Sequence, residues 1–218
     1  MKLIKKIVIL VVIIFVIIGG VSYGLKPSEP IENNNRLCNV DERIDVAQIN
    51  KRVIKSVSLK DGNVYVDMNL NDYTFKKLLK YNLIKYGNQS LEAYAINLKG
   101  DYIVIQAPQK IGPFKSQVDI YTKLRSDKEN IVLEVEKVKV GKITVPKSIV
   151  DNKLDSMVPA GIDRISAEKG NIFINFNNVD LGIERISVQD GILKIRFKLT
   201  KDDVKNIGID IIDHMFDF

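Results

Sequence analysis

The sequence is poor in the residues that carry most enzyme chemistry. Its 218 residues include one cysteine, Cys38, one histidine, His214, and no tryptophan. A single cysteine excludes a disulfide framework, and a single histidine excludes a multi-histidine metal site. A Ser-His-Asp arrangement would have to use His214, four residues from the end and off the apolar stripe of its segment, where a solvated side chain is the expectation. Cys38 has no sequence neighbour to activate it, and the residues before it, Asn35-Arg36-Leu37, are not those of a lipidation site. The loop Gly141-Lys142-Ile143-Thr144 lacks a phosphate-binding glycine at position 136, which is Glu, and a hydroxyl at Ile143. The acidic residues near the C-terminus lack the order of a calcium loop. No catalytic residue, no metal ligand and no cofactor is expected, and the chain reads as a non-enzyme.

A net charge of +6 suggests an anionic partner at first. Lys2, Lys5, Lys6 and Lys26 are the only charges in residues 1–26, however, and subtracting those four leaves +2 for the remainder. Nucleic acid is therefore not an expected partner. The basic start, residues 1–6, precedes an uncharged run over 7–25, which at about 1.5 Å per residue is long enough to cross the hydrocarbon core as a helix. By the positive-inside rule the N-terminus is cytoplasmic and the rest lies outside the cell membrane. A retained single-pass anchor fits better than a cleaved signal peptide, although Gly20-Val21-Ser22 would serve as a cleavage site. Residues 26–40, with Pro27, Pro30 and three consecutive asparagines, read as a linker holding the domain off the bilayer, and 41–218 as the extracytoplasmic domain.

Within that domain a strand–turn–strand pattern recurs. Residues 57–70 (VSLKDGNVYVDMNL) align without gaps on 186–199 (ISVQDGILKIRFKL); residues 165–176 and, more loosely, 96–105 repeat the spacing. Each copy sets a glycine between two stretches of alternating polarity, the mark of a hairpin with one buried face. The inward sets are Val64, Val66, Met68 and Leu70; Ile172, Ile174 and Phe176; and Leu193, Ile195, Phe197 and Leu199. Residues 114–124 and 131–140 form two longer strands, and the phase of the second flips between Val135 and Val138, which predicts a β-bulge at Glu136 or Lys137. Helices are expected over 41–56, over 73–86 with Asn71 or Asp72 as cap, after Pro146, and from Thr200 onward. Lys76, Lys77, Lys80 and Lys85, and Lys137, Lys139, Lys142 and Lys147, could contact anionic lipid or wall polymer, but the favoured reading is a solvated helix face and a lysine-rich strand edge. The fold class is α+β: a long curved antiparallel sheet with repeated hairpins, packed with a few amphipathic helices and preceded by one transmembrane helix.

Residues 114–148, with FKSQVDIY, NIVL and VKVGKITVPKS, resemble the signature stretch of the YpmS-like family of Firmicute membrane-anchored proteins. In that family a strand ends in Val-Gly-Lys, and Leu or Val before Pro opens a helix. The resemblance implies an anchor and an extracytoplasmic domain, and no activity. More distantly, the hairpins and the bulged strand resemble TULIP-like lipid-binding domains, a half-barrel that wraps a helix and holds an acyl chain. On that likeness a lipid or lipid-linked envelope precursor would lie along Val66, Met68, Ile174, Phe176, Ile195 and Phe197. The same alternation also builds an ordinary closed core, and an envelope scaffold that binds a protein partner is the alternative reading.

Overall fold

The computed structural model describes residues 20–32, 35–40, 52–85, 94–127, 130–157, 165–175 and 182–199. The architecture is α+β, mostly antiparallel sheet with few helices, the sheets curved and open. The strands are β1 (Ile54–Lys60), β2 (Asn63–Asn71), β3 (Ala95–Lys99), β4 (Tyr102–Ile111), β5 (Phe114–Asp127), β6 (Asn130–Val140), β7 (Ile143–Thr144), β8 (Ile165–Glu168), β9 (Asn171–Asn175), β10 (Gly182–Gln189) and β11 (Ile192–Leu199). Helix α1 spans Asp72–Lys85, helix α2 spans Lys147–Met157, and a 3-10 turn covers Leu37–Asn39.

The hairpins fall into two sheets rather than one. The first has the order β1-β2-β11-β10; the second runs β3-β4-β5-β6-β9-β8, with β7 paired to β6. Three of the repeated turns have two successive residues with positive φ, Asp61-Gly62, Lys169-Gly170 and Asp190-Gly191, the conformation that lets a two-residue loop follow the strand twist. The expected bulge is present: Tyr121 pairs with Lys137 but Thr122 pairs with Val135, so Glu136 is the extra residue.

The two gap-free copies of the hairpin lie side by side in the first sheet. Their inner strands β2 and β11 pair antiparallel, with Val64 opposite Leu199 and Leu70 opposite Leu193. The outer strands carry register shifts at matching places, between Ile54 and Ser56 and between Ile183 and Arg185. The sheet thus has a local pseudo-twofold axis, and Asp67 and Arg196, equivalent in the repeat, face each other upon it.

One face of each sheet and α1 close the core. Val66, Met68, Leu70, Leu193, Ile195, Phe197 and Leu199 of the first sheet meet Ile96, Leu98, Ile103 and Ile131 of the second, with Leu78 of α1 and Leu37 of the 3-10 turn. Asn71 caps α1, its side-chain oxygen accepting from Thr74 N at 2.9 Å. Asp72 instead accepts from Leu98 N at 2.7 Å, tying the helix to β3. The helix expected over 41–56 gives way to β1 from Ile54 onward, and residues 41–51 lie outside the described set, as does the helix expected from Thr200. Among the described residues no helix is long and apolar enough to cross a membrane. Of the run over 7–25, only residues 20–25 are described, and these are helical.

Candidate functional site

Four of the six residues expected to line a groove are core residues. Val66, Met68, Ile195 and Phe197 are at most 6% exposed and belong to one packed cluster. Ile174 packs against the same cluster from the second sheet, and Phe176 lies outside the described residues. The first sheet and α1 reach the other sheet directly, so the side chains read as groove lining fill the space themselves. The apolar face of the first sheet nevertheless continues beyond the core. Val57 and Leu59 stand opposite Val66 and Val64 on the same face, yet are 62% and 72% exposed. Their strand, β1, is the outermost of its sheet.

The most elaborate site is on the other side of the second sheet. Antiparallel pairing sets Gln106 opposite Asp119 and places Asn97 and Gln117 on the same face, away from the core. All four are buried, because residues 25–31 lie across them as a strap. Gln117 reads the strap as a neighbouring strand would. Its amide nitrogen donates to Glu29 O at 3.0 Å, and its amide oxygen accepts from Ile31 N at 3.1 Å, on either side of Pro30. Gln106 Nε2 also donates to Glu29 O, at 3.3 Å, and to Asp119 Oδ1, while Asn97 Nδ2 donates to Gln106 Oε1. Gln117 donates to Asp119 as well. Buried amides and carboxylates are costly without partners, and here the strap and the ladder satisfy each other.

The strap is secured at both ends. Glu29 and Lys99 form an ion pair at 2.6 Å; the hydrogen bond from Lys99 holds the Glu29 carboxyl below its usual range, and Glu29 in turn raises Lys99. Near the apolar run, Ser116 Oγ donates to Leu25 O at 2.7 Å, and Lys142 N donates to Gly24 O at 2.7 Å. Gly141, at φ +61°, lies so close that a Cβ there would strike the Leu25 carbonyl. Further on, Leu37 N donates to Tyr94 O at 3.0 Å, and Lys80 Nζ donates to Cys38 O and Val40 O at 2.9 and 2.8 Å. The described part of residues 26–40 is therefore docked onto the fold rather than forming a spacer. Lys76 and Lys80 are correspondingly buried, not solvated, Lys76 pairing with Asp72 at 2.6 Å.

A second polar feature covers the outer face of the first sheet. Ser56, Asp67, Arg196 and Arg185 form a row across its four strands. Arg196 grips Asp67 with two bonds of 2.6 and 2.9 Å, and Ser56 Oγ donates to the same carboxylate at 2.7 Å. Arg196 first, then Ser56, holds that carboxyl below the usual carboxylate range. Beside the row is a shallow depression of about 210 Å³ reaching Lys194, Ser187 and Gln189. Among the described residues no group of three His, Cys, Asp or Glu is placed to hold a metal ion. Cys38 is an exposed thiol, and His214 lies outside the described residues.

The sequence hid the strap for a specific reason. A polar residue at every second position of a strand looks solvated whether water or another segment covers it. The available signal was amide content: Asn97, Gln106 and Gln117 stand where a solvated strand more often carries Lys, Glu or Thr. No family model matches the chain, and neither the curated proteins nor the solved structures give a match.

Proposed function

We propose that the protein is a membrane-tethered, extracytoplasmic interaction domain without catalysis, which binds a protein partner by strand addition at β1. The observation that carries this reading is the pairing of a filled core with an exposed apolar edge at Val57 and Leu59. In a two-residue hairpin, paired residues alternate between hydrogen-bonded and non-bonded positions, starting from the bonded pair Lys60–Asn63. Val57 and Leu59 then direct their backbone N–H and C=O groups away from β2, along the free edge. Residues 52–60 carry Arg52, Lys55 and Lys60 and no acid, so the matching partner is an extended segment with alternating apolar residues and acidic flanks. The opposite edge strand, β10, packs near β5 and is less accessible.

A lipid reading keeps one supporting observation, the half-buried apolar row Val118, Ile120, Val138 and Val140 on the second sheet. It is the second choice because the residues first assigned to the groove are packed. The test is a photo-crosslinking residue at position 59 of the full chain in host membranes, with adducts located by mass spectrometry. The expected adduct lies in an extended, acid-flanked segment of another envelope protein, and V57P abolishes it by removing an edge donor while leaving the ladder to β2 intact. Adducts confined to lipid would overturn this reading in favour of the groove. Adducts confined to residues 200–218 of the same chain would show that the edge is covered internally.

A further inference from the structure

We infer that the strap fixes the domain against the bilayer, seating the β6–β7 turn in the headgroup region of an anionic membrane. The inference rests on the anchor reading of residues 7–25. If the apolar run ends at Leu25, the lipid–water boundary lies there, and Leu25 is already hydrogen-bonded to Ser116 and pressed against Gly141. No free residue separates bilayer from fold. The strap's bonds to Gln106 and Gln117 then prevent the domain from swinging away.

The surface at this end matches such a neighbour. Tyr23 and Ile143 are 64% and 50% exposed, and Lys142 Nζ lies 3.4 Å from the centre of the Tyr23 ring. An aromatic ring with a lysine beside an apolar side chain is the composition favoured at a membrane interface. Strand β5 extends past the end of β6, since Val140 pairs with Val118, so the β4–β5 tip projects at the same end and adds Lys110 and Lys115. Residues 107–118 and 137–146 together hold five lysines and no acid, while Lys147 turns back to Val135 O and Asp151. Each basic group near an anionic surface is attracted to it, and salt weakens that attraction. The net +2 of residues 27–218 conceals this basic end.

The chain has no tryptophan, so a single introduced one reports its own surroundings. Full-length I143W and R125W are reconstituted into vesicles of phosphatidylcholine and phosphatidylglycerol that carry brominated acyl chains. Arg125 lies about 30 Å along β5 from Ser116, at roughly 3.3 Å per residue, and serves as the distant probe. The expected result is strong quenching of I143W and little of R125W. Adding Q117A should reduce the quenching of I143W while circular dichroism and flotation with vesicles stay unchanged. Replacing phosphatidylglycerol by phosphatidylcholine should also reduce it. Flotation without quenching of I143W, or equal quenching of both probes, would overturn the inference and leave the anchor reading standing. Failure of the folded chain to float with vesicles would overturn both.

Discussion

The two sheets treat their outer faces in opposite ways. The first leaves Ser56, Asp67, Arg196 and Arg185 in water, where long polar side chains solvate themselves. The second buries Asn97, Gln106, Gln117 and Asp119 under residues 25–31, a segment far earlier in the chain. The difference shows how similar period-2 patterns serve distinct ends. A charged outer row tolerates water and decides which strands pair; an amide row commits its strand to a particular covering chain.

The comparison can be broken most forcefully where both sheets depend on one core. Met68→Ala should cost about 2–5 kcal/mol, as for other buried Met or Leu truncations, and should unfold both sheets in one urea transition. Two separate transitions would show that the sheets are energetically independent. Gln117→Ala should cost about 1–3 kcal/mol, since Glu29 O and Ile31 N lose partners in a buried setting. Its mark is local: amide hydrogen exchange should rise across residues 25–31 and stay unchanged in β2 and β11. Uniform acceleration would mean that the strap is part of the global fold rather than an appliqué upon it.

The smallest effect belongs to the exposed row. The Asp67 carboxyl is depressed by Arg196, so its contribution is present above its unfolded value and is lost as pH falls through the lower folded value. Stability should therefore decline in acid below about pH 4, and Asp67→Asn should flatten part of that decline. The pair is partly solvent-exposed, so the change should be modest and should shrink further in high salt. A flat acid response in the parent protein would remove the pair from the account of stability.

Local grammar was legible in the sequence, and assembly was not. The glycine turns, the alternation of β2 and β11, the cap at Asn71 and the bulge at Glu136 follow from short-range sterics and phase. The division into two sheets does not, because hairpins with the same pattern can join either sheet. Val66, Met68, Ile195 and Phe197, read as groove lining, lie in the packed core, because alternation marks a buried face without saying whether protein or ligand buries it. Lys76 and Lys80 were misplaced because a lysine's long stem lies easily along a covered surface when its amine finds carbonyls, as at Cys38 and Val40.

The pseudo-twofold axis between β2 and β11 also bears on how the chain avoids pairing with its own copies. Were β2 to pair in the same register with β2 of a second molecule, Asp67 would face Asp67; for β11, Arg196 would face Arg196. Like charges directly opposite each other oppose a strand pair, whereas the combination within one molecule attracts. The repeated hairpins are thus mutually recognisable but self-averse. A single oppositely charged pair on the axis guards the sheet against strand exchange between copies of the chain.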